Sequence, residues 1–351
     1  MYFSKKKSGT FSSTVLLVCL FLLVCACETK LPEKQVLQGN AFGTTFAIQY
    51  FTDIPLHLEK GVDSVIDAVN RSVSTYQKDS DISRINNGDS TVVVDAIFSH
   101  VYDISEQVYT QSSGYFDPTI GVLRNAYGFG DEQPIEHIDQ KVLDSLMRFV
   151  GFQKVRLLED GTIRKADPAI YFDFNAVAKG YGIDLIGKYL EDQGIENYLI
   201  ELGGELLARG KNLARDQRWV AGVEAVDSEV WQRSTEAMVA LDNRAMAASG
   251  NYRKFRIDSA TGRKYVHTIN PLTGEAQQSD VTSATVIAPN CTLADAYATA
   301  FMAMGLERSK LLLTKLKEVD AYLTYADSLS PSNIFMTHGF EMSLLLPEIP
   351  D

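Results

Sequence analysis

The spacing of hydrophobic residues predicts several amphipathic helices. Valine and isoleucine recur at helical spacing early in the chain and form one apolar stripe, at Val62, Val65, Ile66, Val69 and Val73. A second helix is predicted over residues 96–111, where Val101, Ile104 and Val108 share a face and Gly114 follows as a C-terminal cap. Further helices are expected within residues 132–151, from the junction at 176–179 to residue 194, and over 307–317.

Shorter runs rich in β-branched residues predict strands between these helices. They cover residues 41–50, 198–205, 219–225, 238–241, 244–249, 254–257, 281–287, 321–325 and 340–345, and a strand that runs into a helix within 169–184. Residues 154–163 predict a hairpin that turns at Asp160 and Gly161. This mixture of elements, with no fixed-period repeat, predicts an α+β fold with mixed sheets and packed helices.

The stretch from residue 265 to 305 contains the clearest candidate chemistry. A loop with His267 and a Pro-Leu-Thr-Gly turn precedes a strand and then an alanine-rich helix that begins after Asn290. Asp295 and Thr299 are four residues apart, so they share one face of this helix and offer two hard oxygen donors, which suit Mg²⁺. A structural explanation is also open, because the helix dipole favours an early Asp and a Thr can bond back to a carbonyl.

Two further stretches suggest a backbone that surrounds a ligand. Residues 114–130 hold four glycines and one proline, and Asp117 is held extended by Pro118. In the second stretch, Asp173 precedes a strand-to-helix junction with Lys179, where helix amides favour anions. This junction is a candidate phosphate or metal site, although an ordinary turn with an exposed lysine fits the same residues.

The N-terminus predicts export and lipidation. Three lysines, Lys5 to Lys7, precede a short apolar run over residues 14–27, which is typical of a signal peptide. The run ends in Val-Cys-Ala-Cys27, similar to a bacterial lipobox; a plain signal peptide or an uncleaved anchor helix is the alternative. The expected organisation is a signal peptide over 1–26, lipidated Cys27 with a tether over 27–38, and one domain over 39–351. Cys291 then has no disulfide partner.

Composition limits the kinds of ligand. The 351 residues are 45% hydrophobic and 22% charged, with a formal net charge of −12. An acidic chain lacks the basic surface that nucleic acids require, so no nucleic-acid partner is expected. An anionic ligand would need a metal or a few local cations, because the overall field repels it.

Four stretches together resemble the ApbE family of FAD:protein FMN transferases. They are STYQKDSDISRIN at 74–86, GYFDPTIGVLRNAYGFG at 114–130, DFNAVAKGYGID at 173–184, and the series SGNYRKF, VHTINPLTG and ADAYATA between 249 and 300. The resemblance implies that FAD binds in a cleft between two lobes with Mg²⁺ on its pyrophosphate. The FMN half would then move to a threonine hydroxyl of a partner flavoprotein, and AMP would be released.

The resemblance also implies roles for individual residues. The metal would be held by the carbonyl of Ala176 and the side chains of Asp295 and Thr299. His267 would be the base, unless it only stabilises the turn beside it. Contacts to flavin or adenine would come from Phe42, Tyr76, Tyr115, Phe116, Asp117, Asp173, Lys179 and Ile269.

The chain departs from the usual family pattern at four positions. Asn270 stands where Asp is usual, which puts a role for that carboxylate in doubt. Ala298 replaces a second Asp of some members, so the metal would rely on Asp295 for side-chain charge. Phe42 stands where Met is common, and Asn175 where Gly or Ser is frequent.

Two other functions remain open at the level of sequence. An FAD pyrophosphatase would use water in place of threonine and give FMN and AMP, and a non-enzymatic FAD-binding lipoprotein would release no AMP. For the transferase, the expected partners are FAD and an extracytoplasmic or membrane-associated flavoprotein with a target threonine. The expected location is extracytoplasmic, lipid-anchored to a bacterial membrane on its periplasmic side.

Overall fold

The computed structural model describes residues 1–2, 32–225, 234–251, 255–257, 262 and 264–345. The predicted lipobox with Cys27 lies outside these residues, as does the signal peptide beyond its first two positions. No helix in the described part of the chain is long and apolar enough to cross a bilayer.

An eight-stranded sheet forms the centre of the fold, with the strand order β1-β2-β5-β6-β9-β12-β13-β14. Its strands are β1 (Glu33–Ala41), β2 (Thr44–Thr52), β5 (Tyr198–Leu202), β6 (Glu205–Arg209), β9 (Ala245–Gly250), β12 (Val281–Ala288), β13 (Asp320–Tyr325) and β14 (Asn333–Met336). Among the described residues, three two-stranded sheets accompany it, namely β3 (Val155–Leu157) with β4 (Ile163–Lys165), β7 (Trp219–Glu224) with β8 (Thr235–Leu241), and β10 (Phe255–Ile257) with β11 (Lys264–Val266). Every pairing between these strands is antiparallel.

The helices of the described residues are α1 (Glu59–Val73), α2 (Asp81–Asn86), α3 (Ala96–Gln111), α4 (Gly121–Tyr127), α5 (Gln140–Met147), α6 (Ala178–Asp192), α7 (Cys291–Met304), α8 (Leu306–Leu313) and α9 (His338–Glu341). Six of them, α1, α2, α3, α6, α7 and α8, pack in the core on one face of the large sheet. Helices α4 and α5 pack in a smaller core of their own, and α9 packs on the opposite face through Phe340. The largest core joins α1, α3, α6 and α7 to inward residues of the sheet such as Ile48, Ile200 and Val286. A second core packs the β7–β8 hairpin, through Trp219, on the opposite face.

The sheet opens between β6 and β9. These strands share only two residue pairs, Leu206 with Met246 and Leu207 with Ala245. Beyond them, the β5–β6 turn and the end of β9 diverge, while β9 remains paired with β12 up to Gly250. Side chains of a strand point alternately to the two faces of the sheet. The gap between β6 and β9 therefore connects the helices on one face with the β7–β8 hairpin on the other.

The predicted α+β class is confirmed, and so is the helix over residues 96–111, with Gly114 in the left-handed region at φ 85°. Three predictions are wrong. The sheet begins at Glu33, so residues 33–38 of the predicted tether belong to β1. The segment before α6 makes only an isolated bridge between Ile120 and Tyr171 where a strand was expected. Residues 340–345 were predicted as a strand, but α9 begins at His338 because Thr337 caps it.

Candidate active site

A cavity of about 630 Å³ lies at the opening of the sheet. Its walls come from the loop before α4, the N-terminus of α6, the β5–β6 turn, β7, β9, the loop after β11, and α7. Ten of the residues singled out in the sequence line this one cavity, namely Tyr115, Phe116, Asp117, Asp173, Ala176, Lys179, His267, Ile269, Asp295 and Thr299. Segments of three of the four motifs therefore converge on the cavity, whereas the motif at 74–86 contributes no residue to its lining.

The crossing of α6 and α7 holds Asp295, a candidate metal ligand, in position. Asp295 on α7 accepts a hydrogen bond from the backbone N–H of Gly180 on α6 through Oδ2, at 3.0 Å. In return, Asp184 on α6 accepts from the backbone N–H groups of Cys291 and Thr292 at the start of α7, each at 2.8 Å. A Cβ on Gly180 would lie 2.4 Å from the carbonyl oxygen of Cys291, so only glycine permits this approach.

Lys179 and the buried carboxyl groups of Glu205 and Asp295 lie in the cavity wall next to the crossing of α6 and α7. Lys179 Nζ lies 2.7 Å from Glu205 Oε2. Burial raises the pKa of Glu205 to about 7, because desolvation outweighs the attraction of Lys179 and nearby Asp295 adds repulsion. Burial also raises the pKa of Asp295, against the opposing effect of Lys179. For Lys179, desolvation opposes the charge, but the carboxylates of Glu205 and Asp295 prevail and raise its pKa. Lys179 therefore remains a cation in the cavity.

The donor atoms near Asp295 suit a hard divalent cation. Asp295 supplies a carboxylate, Thr299 a hydroxyl and Ala176 a backbone carbonyl, and all three residues line the cavity. Ser249 on β9 brings a further hydroxyl, with its Oγ 3.4 Å from Thr299 Oγ1. Within the described residues, no three His, Cys, Asp or Glu side chains cluster as a metal site, so this candidate set combines carboxylate charge with neutral oxygens.

An ion pair joins α4 to the segment before α6. Arg124 donates to Asp173 through Nη1 and to the carbonyl of Phe129 through Nη2, and its guanidinium also interacts with the Tyr76 hydroxyl. Asp173 in addition accepts from the backbone N–H of Asn175 at 2.8 Å, which shapes the loop that carries Ala176. The carboxylate of Asp173 thus holds the cavity wall in place.

Asp117 has a similar structural role beside the cavity. Its Oδ1 accepts hydrogen bonds from the backbone N–H and the hydroxyl of Thr119, at 2.8 and 2.6 Å. Its Oδ2 accepts from the backbone N–H of Phe152 at 3.0 Å. Because protein donors occupy both oxygens, Asp117 fixes the Tyr115–Phe116 segment against its neighbours.

His267 directly follows β11 and is half-buried in the cavity wall. The Pro-Leu-Thr-Gly turn after it is closed by Asn270, whose Oδ1 accepts from the backbone N–H of Leu272 at 3.0 Å and whose carbonyl accepts from Gly274 at 2.8 Å. An amide oxygen is sufficient for this bond, so the turn does not need the carboxylate that is usual at position 270.

Two predicted contacts lie outside the cavity lining. Phe42 occupies the β1–β2 turn at φ 50° and packs against Gly182 of α6. Tyr76 is 64% exposed, next to Arg124.

Conversely, the cavity contains Arg124, Glu205 and Ser249, to which the sequence assigned no role. Arg124 and Ser249 lie within the quoted motifs, and Glu205 follows a Gly-Gly turn that is visible in the sequence. These positions could therefore have been noticed in the sequence, but their contacts with the other site residues are visible only in the structure.

Comparisons with known proteins point to one family. The model of the ApbE family matches residues 42–323. The FAD:protein FMN transferase of Haemophilus influenzae is 32% identical over 311 residues, covering 85% of this chain and 88% of the relative. That of Vibrio cholerae is 33% identical over 324 residues, covering 88% and 94%.

Solved structures show the same similarity. The flavin transferase ApbE from Vibrio cholerae superposes with a TM-score of 0.79 at 30% identity, covering 89% of this chain and all of that one. An apo flavinyl transferase ApbE from Pseudomonas stutzeri has a TM-score of 0.77 at 24% identity, covering 90% of this chain and 98% of that one, and supports the fold.

Gly180→Ala should disrupt the helix crossing. The added Cβ meets backbone atoms of Cys291, which cannot move aside as a flexible side chain can. We expect a loss of about 1–3 kcal/mol in the free energy of unfolding, measured by urea denaturation. Lys188→Ala, at an exposed position of the same helix, is the control and should change stability by under about 0.5 kcal/mol. Equal stability of the two variants would contradict the steric argument.

Stability should depend on pH through Glu205. Its pKa is about 7 in the folded protein against a reference of 4.5, so the folded state binds this proton more tightly. The free energy of unfolding contributed by Glu205 therefore falls as pH rises from 4.5 to 7. In thermal unfolding with EDTA, Glu205→Gln should gain melting temperature relative to the wild type across that window. A constant offset between the two proteins would refute the assigned pKa.

Proposed function

This chain belongs to the ApbE family, and on that premise we propose that it is a Mg²⁺-dependent FAD:protein FMN transferase acting on a threonine of a flavoprotein. The main supporting observation is the convergence of Lys179, His267, Asp295 and Thr299 on one cavity. The FAD:protein FMN transferases of Haemophilus influenzae and Vibrio cholerae are matched over most of their length, which supports the same reaction here.

The reaction exchanges one phosphorus–oxygen bond for another. The acceptor's threonine oxygen bonds to the phosphorus on the FMN side of the FAD pyrophosphate, and the bond from that phosphorus to the bridging oxygen breaks. AMP leaves with the bridging oxygen, and the hydroxyl proton passes to a base. His267 is suited to take this proton, since histidine exchanges a proton near neutral pH.

Charge at the cavity supports the binding of a diphosphate. Lys179 stays protonated and lies at the N-terminus of α6, whose backbone amides also favour an anion. When bound by Asp295, Thr299 and the Ala176 carbonyl, Mg²⁺ would supply the further positive charge that phosphoryl transfer requires.

We also propose that the protein acts outside the cytoplasm, lipid-anchored through Cys27 to a bacterial membrane on its periplasmic side. The support is the sequence of the first 27 residues, a basic start, an apolar run and the Val-Cys-Ala-Cys end. Metabolic labelling with a radioactive fatty acid tests this proposal. The wild type should be labelled and Cys27→Ser should not, whereas an unlabelled wild type would contradict it.

Transfer itself is tested with the purified full-length protein in detergent, FAD, Mg²⁺ and a flavoprotein fragment that contains a candidate threonine. We expect covalent flavin on the fragment, seen by in-gel fluorescence and mass, with AMP in equal amount. Free FMN with an unmodified fragment would instead indicate a pyrophosphatase. Bound FAD without AMP would indicate a carrier protein.

Asp295→Asn should weaken Mg²⁺ binding at least tenfold and abolish transfer. Asparagine keeps the volume and can still accept from the Gly180 N–H, but it removes the negative charge. Calorimetry with Mg²⁺, or with Mn²⁺ as a probe, measures the loss. Asp192→Asn on the exposed end of α6 is the control and should bind normally. Unchanged affinity in Asp295→Asn would place the metal elsewhere.

His267→Ala should leave FAD binding within about threefold and slow transfer by about 10²–10⁴-fold, the usual contribution of a general base. Flavin fluorescence quenching measures binding, and covalent flavin formed with time measures transfer. Loss of FAD binding in this variant would show that His267 only maintains the turn beside it.

A further inference from the structure

Glu205 occupies an unusual position at the opening of the sheet. It is the first residue of β6 and follows Gly203 and Gly204, which have φ values of 62° and 105°. This turn directs its side chain to the helical face, the same face as Leu207. The residue is only 4% exposed although it lines the cavity. A carboxyl group so deeply buried needs a partner of opposite charge.

That partner is Lys179. The Glu205 Oε2 atom lies 2.7 Å from Lys179 Nζ, across two elements that are 26 residues apart in the chain. A lysine has a long flexible stem, so without a fixed partner its ammonium group would sample many positions in the cavity. Glu205 belongs to the sheet and cannot follow such movement, so the ion pair fixes the ammonium group relative to Asp295 and Thr299.

We infer that Glu205 is a positioning residue that holds the Lys179 ammonium group where it meets the diphosphate of FAD. This inference rests on the proposed function. Simple electrostatics predicts the opposite effect, because a negative charge in the cavity wall on its own weakens the binding of an anionic substrate. Removing the charge would strengthen FAD binding if electrostatics alone acted. Under our inference it weakens catalysis, since the lysine is released from its position.

A double-mutant cycle tests the inference with the full-length protein in detergent. Glu205→Gln and Lys179→Met are made singly and together, and kcat and KM for FAD are measured in the transfer assay, with the FAD Kd from fluorescence quenching. We expect each single variant to lower kcat/KM at least tenfold. The double variant should match Lys179→Met within about twofold, because Glu205 acts through the lysine. Asp192→Asn, which breaks an exposed ion pair of α6, should equal the wild type.

Two results would overturn the inference. One is wild-type or higher kcat/KM in Glu205→Gln. The other is multiplied losses in the double variant, which would mean that Glu205→Gln has the same effect in the presence and absence of Lys179. If Glu205→Gln does not fold, Glu205→Asp replaces it in both backgrounds and the same comparison applies. Failure of the wild type to bind FAD or form covalent flavin would instead contradict the proposed function, so the two failures are distinguishable.

Discussion

The site depends on the contact between α6 and α7, where each helix contributes a carboxylate that accepts hydrogen bonds from backbone amides of the other. Asp184 satisfies donors at the start of α7 that have no partner within the helix, and Asp295 does the same for Gly180 of α6. In α6 the paired positions 180 and 184 are four residues apart, and in α7 positions 291 and 292 are four and three residues from 295, so each set lies on a single face. One of these carboxylates is also the candidate metal ligand, so structural and chemical demands coincide in Asp295.

Because both the protein and the lining of its cavity are acidic, an anionic substrate depends on a few local cations, Lys179 and the proposed metal. The formal charge of −12 is spread over the whole chain, whereas Lys179 and the N-terminus of α6 lie in the cavity itself. Nearby charges in a partly desolvated cavity act more strongly than distant charges screened by salt. The buried carboxylates of Glu205 and Asp295 keep Lys179 protonated, so the same acids that form this wall also maintain the positive charge that attracts phosphate.

The sequence predicts elements well where local signals are strong. The α3 helix has the predicted limits because an apolar stripe marks it and the chain turns away after Ser112, with Ser113 and Gly114 both in the left-handed region. In contrast, β1 is largely polar and exposed, and only pairing with β2 makes it a strand. The motifs located most of the site, but Ser249 meets Thr299 across 50 residues and Glu205 meets Lys179 across a helix and a strand. Such long-range contacts leave no periodic pattern in the sequence.

The gap between β6 and β9 has a consequence for dynamics. Two residue pairs join the strands on either side, so few ladder hydrogen bonds connect the two halves of the sheet. A molecule that fills the cavity would touch both halves and act as a bridge across them. Amide protons of β6 and β9 would then exchange with deuterium more slowly in the occupied protein than in the empty one. A bound substrate would thus hold the two halves of the sheet together, in addition to reacting in the cavity between them.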